Sequence, residues 1–182
     1  MSVFIALLRA INVGGTGKLP MKDLKAACEK AGLLRVETYI ASGNIVFEHD
    51  GTAQEAQSIV ATILREQFGL TKNHTIIRTP EQLEAALAAN PFADAVALKP
   101  AAVMLNFLEA PPPDPDSVAA ALAQWSPERL HLAGDHLYVD YTPGPGAGET
   151  KLTPAYLERT LKVAGTARNW NTASKLLEMA KR

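Results

Sequence analysis

At 182 residues, 47% hydrophobic and 20% charged, the chain carries enough apolar material for one ordinary globular domain or two small ones. A formal net charge of −1 at pH 7 argues against a surface covered in cations for duplex DNA, while leaving room for a local basic patch. The single cysteine, Cys28, excludes an internal disulfide and makes a cysteine-based zinc site untenable, and no apolar run reaches the roughly 20 residues of a membrane span.

Residues 3–8 are apolar throughout and rich in Val, Ile and Phe, which predicts a central strand buried on both faces. The run is too short for an export signal and no basic segment precedes it, so the cytoplasm is the expected compartment. A Gly-rich connection, residues 12–18, leads to Pro20, suited to a first helical position. Leu24, Ala27, Cys28 and Ala31 follow at helical spacing until Gly32 closes the helix. Residues 36–41 and 45–48 read as a hairpin around Gly43 and Asn44 as a two-residue turn. That register puts Val36, Ile40, Ile45 and Phe47 on one face, with Tyr39, Ala41 and Val46 on the other. Thr52 and Glu55 form a capping box for the next helix, residues 75–78 a fourth strand, and Thr79 with Pro80 the start of a further helix.

Residues 91–100, with proline at each end, read as a connector, and beyond it the element order recurs. Residues 103–108 form a strand. Asp114 and Pro115 open a helix running to about Trp125, and residues 129–133 and 136–141 pair around Gly134 and Asp135. A second Gly-rich loop, residues 142–151, precedes a helix from Pro154 to about Ala164; a short strand at 166–170 and a terminal helix at 172–181 follow. The fold expected is α+β: a tandem repeat of two ferredoxin-like βαββαβ units, residues 1–90 and 101–182, each followed by an extra helix. The first and third strands of each unit are expected side by side and parallel at the sheet centre. The loops that follow them are then expected at one end of the sheet.

The first Gly-rich stretch sits between a strand and a helix, where backbone N–H groups and the helix dipole favour anions. It departs from the nucleotide-binding P-loop, which needs glycine where Asn12 stands and Ser or Thr where Leu19 stands. Without a ligand it would be a strand-to-helix connection that needs positive φ. The second loop departs from a dinucleotide fingerprint at Glu149 and otherwise reads as a mobile connection. Arg9, Lys18, Lys151, Arg168 and Lys175 are the basic residues nearest these loops and the terminal segment, and together they would line one cleft for an anion. The candidate ligand residues are Arg9, Asn12, Gly14, Gly15, Lys18, Ser42, Asn44, Lys151, Arg168, Trp170 and Asn171. Trp170 could stack on a base with Arg168 and Asn171 beside it, or anchor the terminal helix with Asn171 or Thr172 as its N-cap.

No catalytic constellation stands out. His131 and His136 flank one turn without a third ligand at suitable spacing, Cys28 lies on an apolar helical face, and no nucleophile elbow occurs. No cofactor is implied.

Three stretches in combination carry a resemblance: residues 6–15 (Ala-Leu-Leu-Arg-Ala-Ile-Asn-Val-Gly-Gly), residues 38–47 (Thr-Tyr-Ile-Ala-Ser-Gly-Asn-Ile-Val-Phe), and residues 150–152 with 168–172. The chain resembles the bacterial domain-of-unknown-function family numbered 1697, departing from its usual pattern at Ala10, where glycine is common, and at Ala41, where glutamine is. The resemblance implies a tandem ferredoxin-like fold and no established activity, cofactor or catalytic residue. The functional expectation is a binding protein for a phosphorylated small molecule or nucleotide at a cleft formed by the two Gly-rich loops. The alternatives are single-stranded nucleic-acid binding through the sheet and Trp170, and an oligomeric interaction module without a ligand.

Overall fold

The computed structural model describes residues 1–12, 19–72 and 74–182. Among them lie two four-stranded antiparallel sheets and seven α-helices, a mixed α+β architecture. The chain divides into two compact units, one of Met1–Ala85 with Lys175–Arg182, the other of Ala86–Ser174.

In the first unit, β1 (Ser2–Leu8), α1 (Met21–Lys30), β2 (Leu34–Tyr39), β3 (Asn44–His49), α2 (Ala53–Phe68) and β4 (Thr75–Arg78) are followed by α3 (Pro80–Ala88). The sheet order is β2-β3-β1-β4. Phe4, Ala6, Leu8, Ile45 and Phe47 form one face, packed with Leu24, Ala27 and Cys28 of α1 and Ala56, Val60, Ile63 and Leu64 of α2. On the other face Ile5, Leu7, Val46 and Ile76 are also buried. Each such side chain contributes about 1.5–3 kcal/mol on burial, against about 0–1 kcal/mol for an exposed ion pair such as that of Arg35 and Glu48, so apolar packing holds the unit together. The capping box is present: Thr52 Oγ1 accepts from Glu55 N, and the Glu55 carboxylate accepts from Thr52 N at 2.6 Å.

The second unit repeats this order after α4 (Ala93–Leu98) and a 3₁₀ turn (Pro100–Ala102) that occupy the expected connector. It comprises β5 (Val103–Leu108), α5 (Pro115–Ala123), β6 (Arg129–Ala133), β7 (His136–Asp140), α6 (Pro154–Leu161) and β8 (Gly165–Asn169), with α7 (Trp170–Ala180) leaving it. The sheet order is β6-β7-β5-β8, matching the first. Leu108, Leu137 and Val139 pack with Val118 and Leu122 of α5 and Leu157 and Leu161 of α6.

The correspondence reaches individual bonds. Leu8 N donates to Gly43 O and Arg9 N to His74 O, and in the second unit Leu108 N donates to Asp135 O and Glu109 N to Ala164 O, all within 2.9–3.0 Å. Ile5 pairs with Arg78 across β1 and β4; Leu105 pairs with Arg168 across β5 and β8.

Several expectations are corrected. The central strands are antiparallel, β1 with β3 and β5 with β7, because the helical crossover keeps the second strand in the direction of the first and the tight turn then reverses the third. Loops after the first and third strands of a unit therefore leave opposite ends of its sheet. The first hairpin closes at the pair Tyr39–Asn44, so residues 40–43 form the turn; Ile40 has φ 50° and is 47% exposed, outside the core face assigned to it. Arg168 and Asn169 belong to β8, and Asn169 Oδ1 accepts from Thr172 N at 2.9 Å, so Asn169 caps the terminal helix in place of Asn171 or Thr172.

Candidate functional site

The sequence places its candidate residues at the ends of the first sheet's central strands and around the second Gly-rich loop. At the end of β1 the backbone turns through two left-handed residues, Ala10 at φ 56° and Asn12 at φ 55°, with buried Ile11 between them. The Asn12 amide then ties three segments. Its Nδ2 donates to Leu19 O at 2.9 Å and to Ala41 O at 2.8 Å, while its Oδ1 accepts from Leu19 N at 2.6 Å. Both amide N–H groups are thus committed to backbone carbonyls, which makes Asn12 a clamp that joins the two described ends of the connection to the β2–β3 turn.

The turn itself is fitted against this clamp. Gly43 has φ 85°, and a Cβ there would lie 2.9 Å from Leu8 Cβ and 3.2 Å from Ile11 Cβ. Asn44 is fully buried and donates through Nδ2 to Tyr39 O at 2.9 Å and to Ser42 Oγ at 3.3 Å. Asn12, Ser42 and Asn44 are brought together, but their bonds run to the framework of the turn. Arg9 is half-buried at the foot of the connection. Gly14, Gly15 and Lys18 lie outside the described residues.

Beyond the connection, α1 opens on Pro20, whose side chain caps nothing. The helices α2, α3, α5, α6 and α7 are capped by Thr52, Thr79, Asp114, Thr153 and Asn169 respectively. Among the described residues no side chain caps the first turn of α1, where Asp23 N and Leu24 N donate to Pro20 O at 3.1 Å.

Ala10 carries a conformation that costs a residue with a Cβ about 1–2 kcal/mol relative to the right-handed region. Replacing it with glycine relieves that strain and adds unfolded-state entropy, so Ala10→Gly is expected to stabilise the protein by a net amount of about 0.5–1 kcal/mol, read as a raised urea midpoint at unchanged slope.

In the second unit the organising residue is Glu128, which no local pattern marks, since its partner Thr150 lies far along the chain. Glu128 is 3% exposed; it accepts from Trp125 Nε1 at 2.7 Å and from Thr150 Oγ1 at 2.5 Å. Burial works to raise its pKa, but the hydrogen bonds from Thr150 and Trp125 prevail and hold the carboxyl below its ordinary range. A Cβ on Gly144 would come within 2.9 Å of Glu128 Oε1, so the loop lies directly over the carboxylate. Glu149 N and Thr150 N both donate to Gly146 O at 3.1 Å, and Leu152 N donates to Thr150 Oγ1. The loop expected to be mobile is fastened at several points. Lys151 is exposed at its end.

Arg168 is 6% exposed, with Nη1 donating to Thr166 Oγ1 and Ala167 O, each at 2.8 Å; desolvation lowers its pKa to about 10, leaving it charged at neutral pH. Arg78, its counterpart in the first unit, is equally buried and donates to Ile77 O at 3.0 Å. A repeated buried position reads as part of the frame. Trp170 is half-buried as the first residue of α7, Asn171 is exposed beside it, and Lys175 pairs with Glu178 at 2.8 Å. Cys28 is buried, and desolvation, with Glu29 adding to it, pushes its thiol up to about 12, which suits a core residue.

The family described as "Protein of unknown function (DUF1697)" matches residues 1–138. The chain belongs to this family. The match takes in the clamp, the turn and Glu128, while the DUF1697-like stretches at 150–152 and 168–172 lie beyond it. Among solved structures the chain is similar to the conserved bacterial protein SP0830 from Streptococcus pneumoniae, at 26% identity and a TM-score of 0.74, covering 100% of this chain and 99% of that one. No curated protein matches the chain. No described helix is long and apolar enough to cross a membrane.

Proposed function

We propose that this DUF1697 protein binds a phosphorylated small molecule or nucleotide, on a frame of two ferredoxin-like units, and that the connection between β1 and α1 grips the anion. The observation that carries the reading is a difference in length between equivalent connections. Residues 9–20 join β1 to α1, whereas residues 109–114 suffice to join β5 to α5. The frame can therefore make this link in half the length, and the surplus is a run of glycines ending in Lys18. Surplus loop on a rigid scaffold is where binding residues concentrate. The Asn12 clamp holds the ends of that surplus, and the start of α1, whose first N–H groups meet no capping side chain among the described residues, follows directly.

The second loop is surplus by the same comparison, residues 141–153 against 50–52, yet Glu128 and Glu149 give its surroundings the wrong sign for a phosphate. We therefore narrow the anion site to the first connection. Reading of nucleic acid on the first sheet finds less support, because Phe4 and Phe47 lie in the helix-covered core and the opposite face is buried too.

A thermal-shift series with inorganic phosphate, nucleoside mono- and triphosphates and sugar phosphates tests the proposal. A ligand at a hundredfold excess over its Kd should add about 2.7 kcal/mol of stability. Lys18→Ala should abolish the response while leaving the unliganded melting temperature unchanged. A flat series, or a variant that responds like the parent, would contradict the assignment.

A further inference from the structure

Beneath the second Gly-rich loop lies a cavity of about 440 Å³ whose lining includes Gln124, Trp125, Glu128, Glu149, Thr150 and Lys151. That volume falls within the range of about 300–1,000 Å³ usual for small-molecule sites. Its floor holds the buried carboxylate of Glu128, and both hydrogen bonds to it come from neutral groups, the indole of Trp125 and the hydroxyl of Thr150. Among the described residues no cation pairs with Glu128. Buried charges are ordinarily paired, and here the two neutral donors hold the carboxylate in its charged form without a charge partner among the described residues. A carboxylate has about four acceptor positions, so two bonds leave capacity for a further donor. The rim adds one acidic and one basic side chain, Glu149 and Lys151, so the cavity keeps a net negative charge.

We propose that this cavity is a site for a small organic cation, with a primary ammonium group seated on Glu128 and the indole of Trp125 as its aromatic wall. An anion would meet two carboxylates. A metal ion would lack ligands, since no group of three His, Cys, Asp or Glu side chains is gathered among the described residues. A purely structural tie needs only acceptors for Trp125 Nε1 and Thr150 Oγ1, and preference for an ammonium over an alcohol of the same shape is what distinguishes the two roles. The inference is independent of the anion site at the first connection.

The test uses the full chain with n-butylammonium chloride, n-butanol and inorganic phosphate as probes, reading the Trp125 indole N–H resonance and the melting temperature. Butylammonium should move the resonance and raise the melting temperature, butanol should do neither, and Glu128→Gln should weaken ammonium binding by about tenfold or more while the fold is retained. Equal effects of butylammonium and butanol, or Glu128→Gln binding the ammonium like the parent, would overturn the proposal. So would a phosphate response at Trp125 that Lys151→Ala removes. Should Glu128→Gln fail to fold, the ammonium-against-alcohol comparison on the unaltered chain decides the matter.

Discussion

Gly43→Ala is expected to cost the protein about 2–4 kcal/mol, the sum of a left-handed backbone that resists a Cβ and an overpacked contact. The methyl would sit 2.9 Å from Leu8 Cβ and 3.2 Å from two atoms of Ile11, all close to backbone and unable to swing away. Either β1 retreats from the turn, loosening the Leu8 N to Gly43 O bond, or the turn opens and releases Ala41 from Asn12. Gly69→Ala is the matched control: Gly69 has φ 67° at the end of α2 and nothing within 4 Å, so only the backbone penalty of about 1 kcal/mol should appear. Urea midpoints of the two variants separate the terms, and equal losses would show that the contact contributes nothing.

The second large effect is expected at Asn12. Asn12→Asp keeps the shape but turns the Nδ2 donor into an oxygen facing Leu19 O and Ala41 O. Two hydrogen bonds become repulsive contacts while the bond from Leu19 N to Oδ1 is kept, and the loss should reach about 2–4 kcal/mol. The same variant should weaken the phosphate response, since the ends of the binding connection are no longer held. Aspartate tolerated as well as the native asparagine would mean that the amide is not oriented as a clamp.

Much of the fold is legible in the residues because its signals are local. The apolar run of β1, the Thr52 and Glu55 capping box, and Thr79 ahead of Pro80 each state an element within a few positions. What escapes a linear reading depends on distant partners. Gly43 and Asn44 resemble a two-residue turn, yet the demand on Gly43 comes from Leu8 and Ile11, and the hairpin closes at Tyr39 and Asn44, which leaves Ile40 in the turn and outside the core face. Asn171 and Thr172 read as the caps of the terminal helix until the pairing of Met104 with Asn169 ends β8 there and gives that role to Asn169. The direction of the central strands follows from the reversals through the crossover and the turn, which put the loops after the first and third strands of a unit at opposite ends of its sheet.

The site is legible only in part. Asn12, Ser42 and Asn44 do converge, but as framework, and Arg168 proves to be a buried strand residue with a twin at Arg78. Glu128 could not be found from spacing, because its bond from Thr150 spans the β6–β7 hairpin and the loop after it, and Trp125 three residues back is its one local partner among the described residues. The comparison of equivalent connections, which marks the two surplus loops, rests on the element bounds of both units, and the matched registers at Arg78 and Arg168 support treating those elements as equivalent.

The account turns on the connection between β1 and α1 as the anion-binding element. Titrating the ¹⁵N-labelled full chain with inorganic phosphate, and then with the strongest ligand of the thermal series, tests it most directly. The account predicts saturable amide shifts concentrated at Ala10–Asn12, Leu19, Met21 and Lys22 and absent in Lys18→Ala. Shifts centred instead on residues 144–151, or none at tens of millimolar phosphate and ligand, would contradict it.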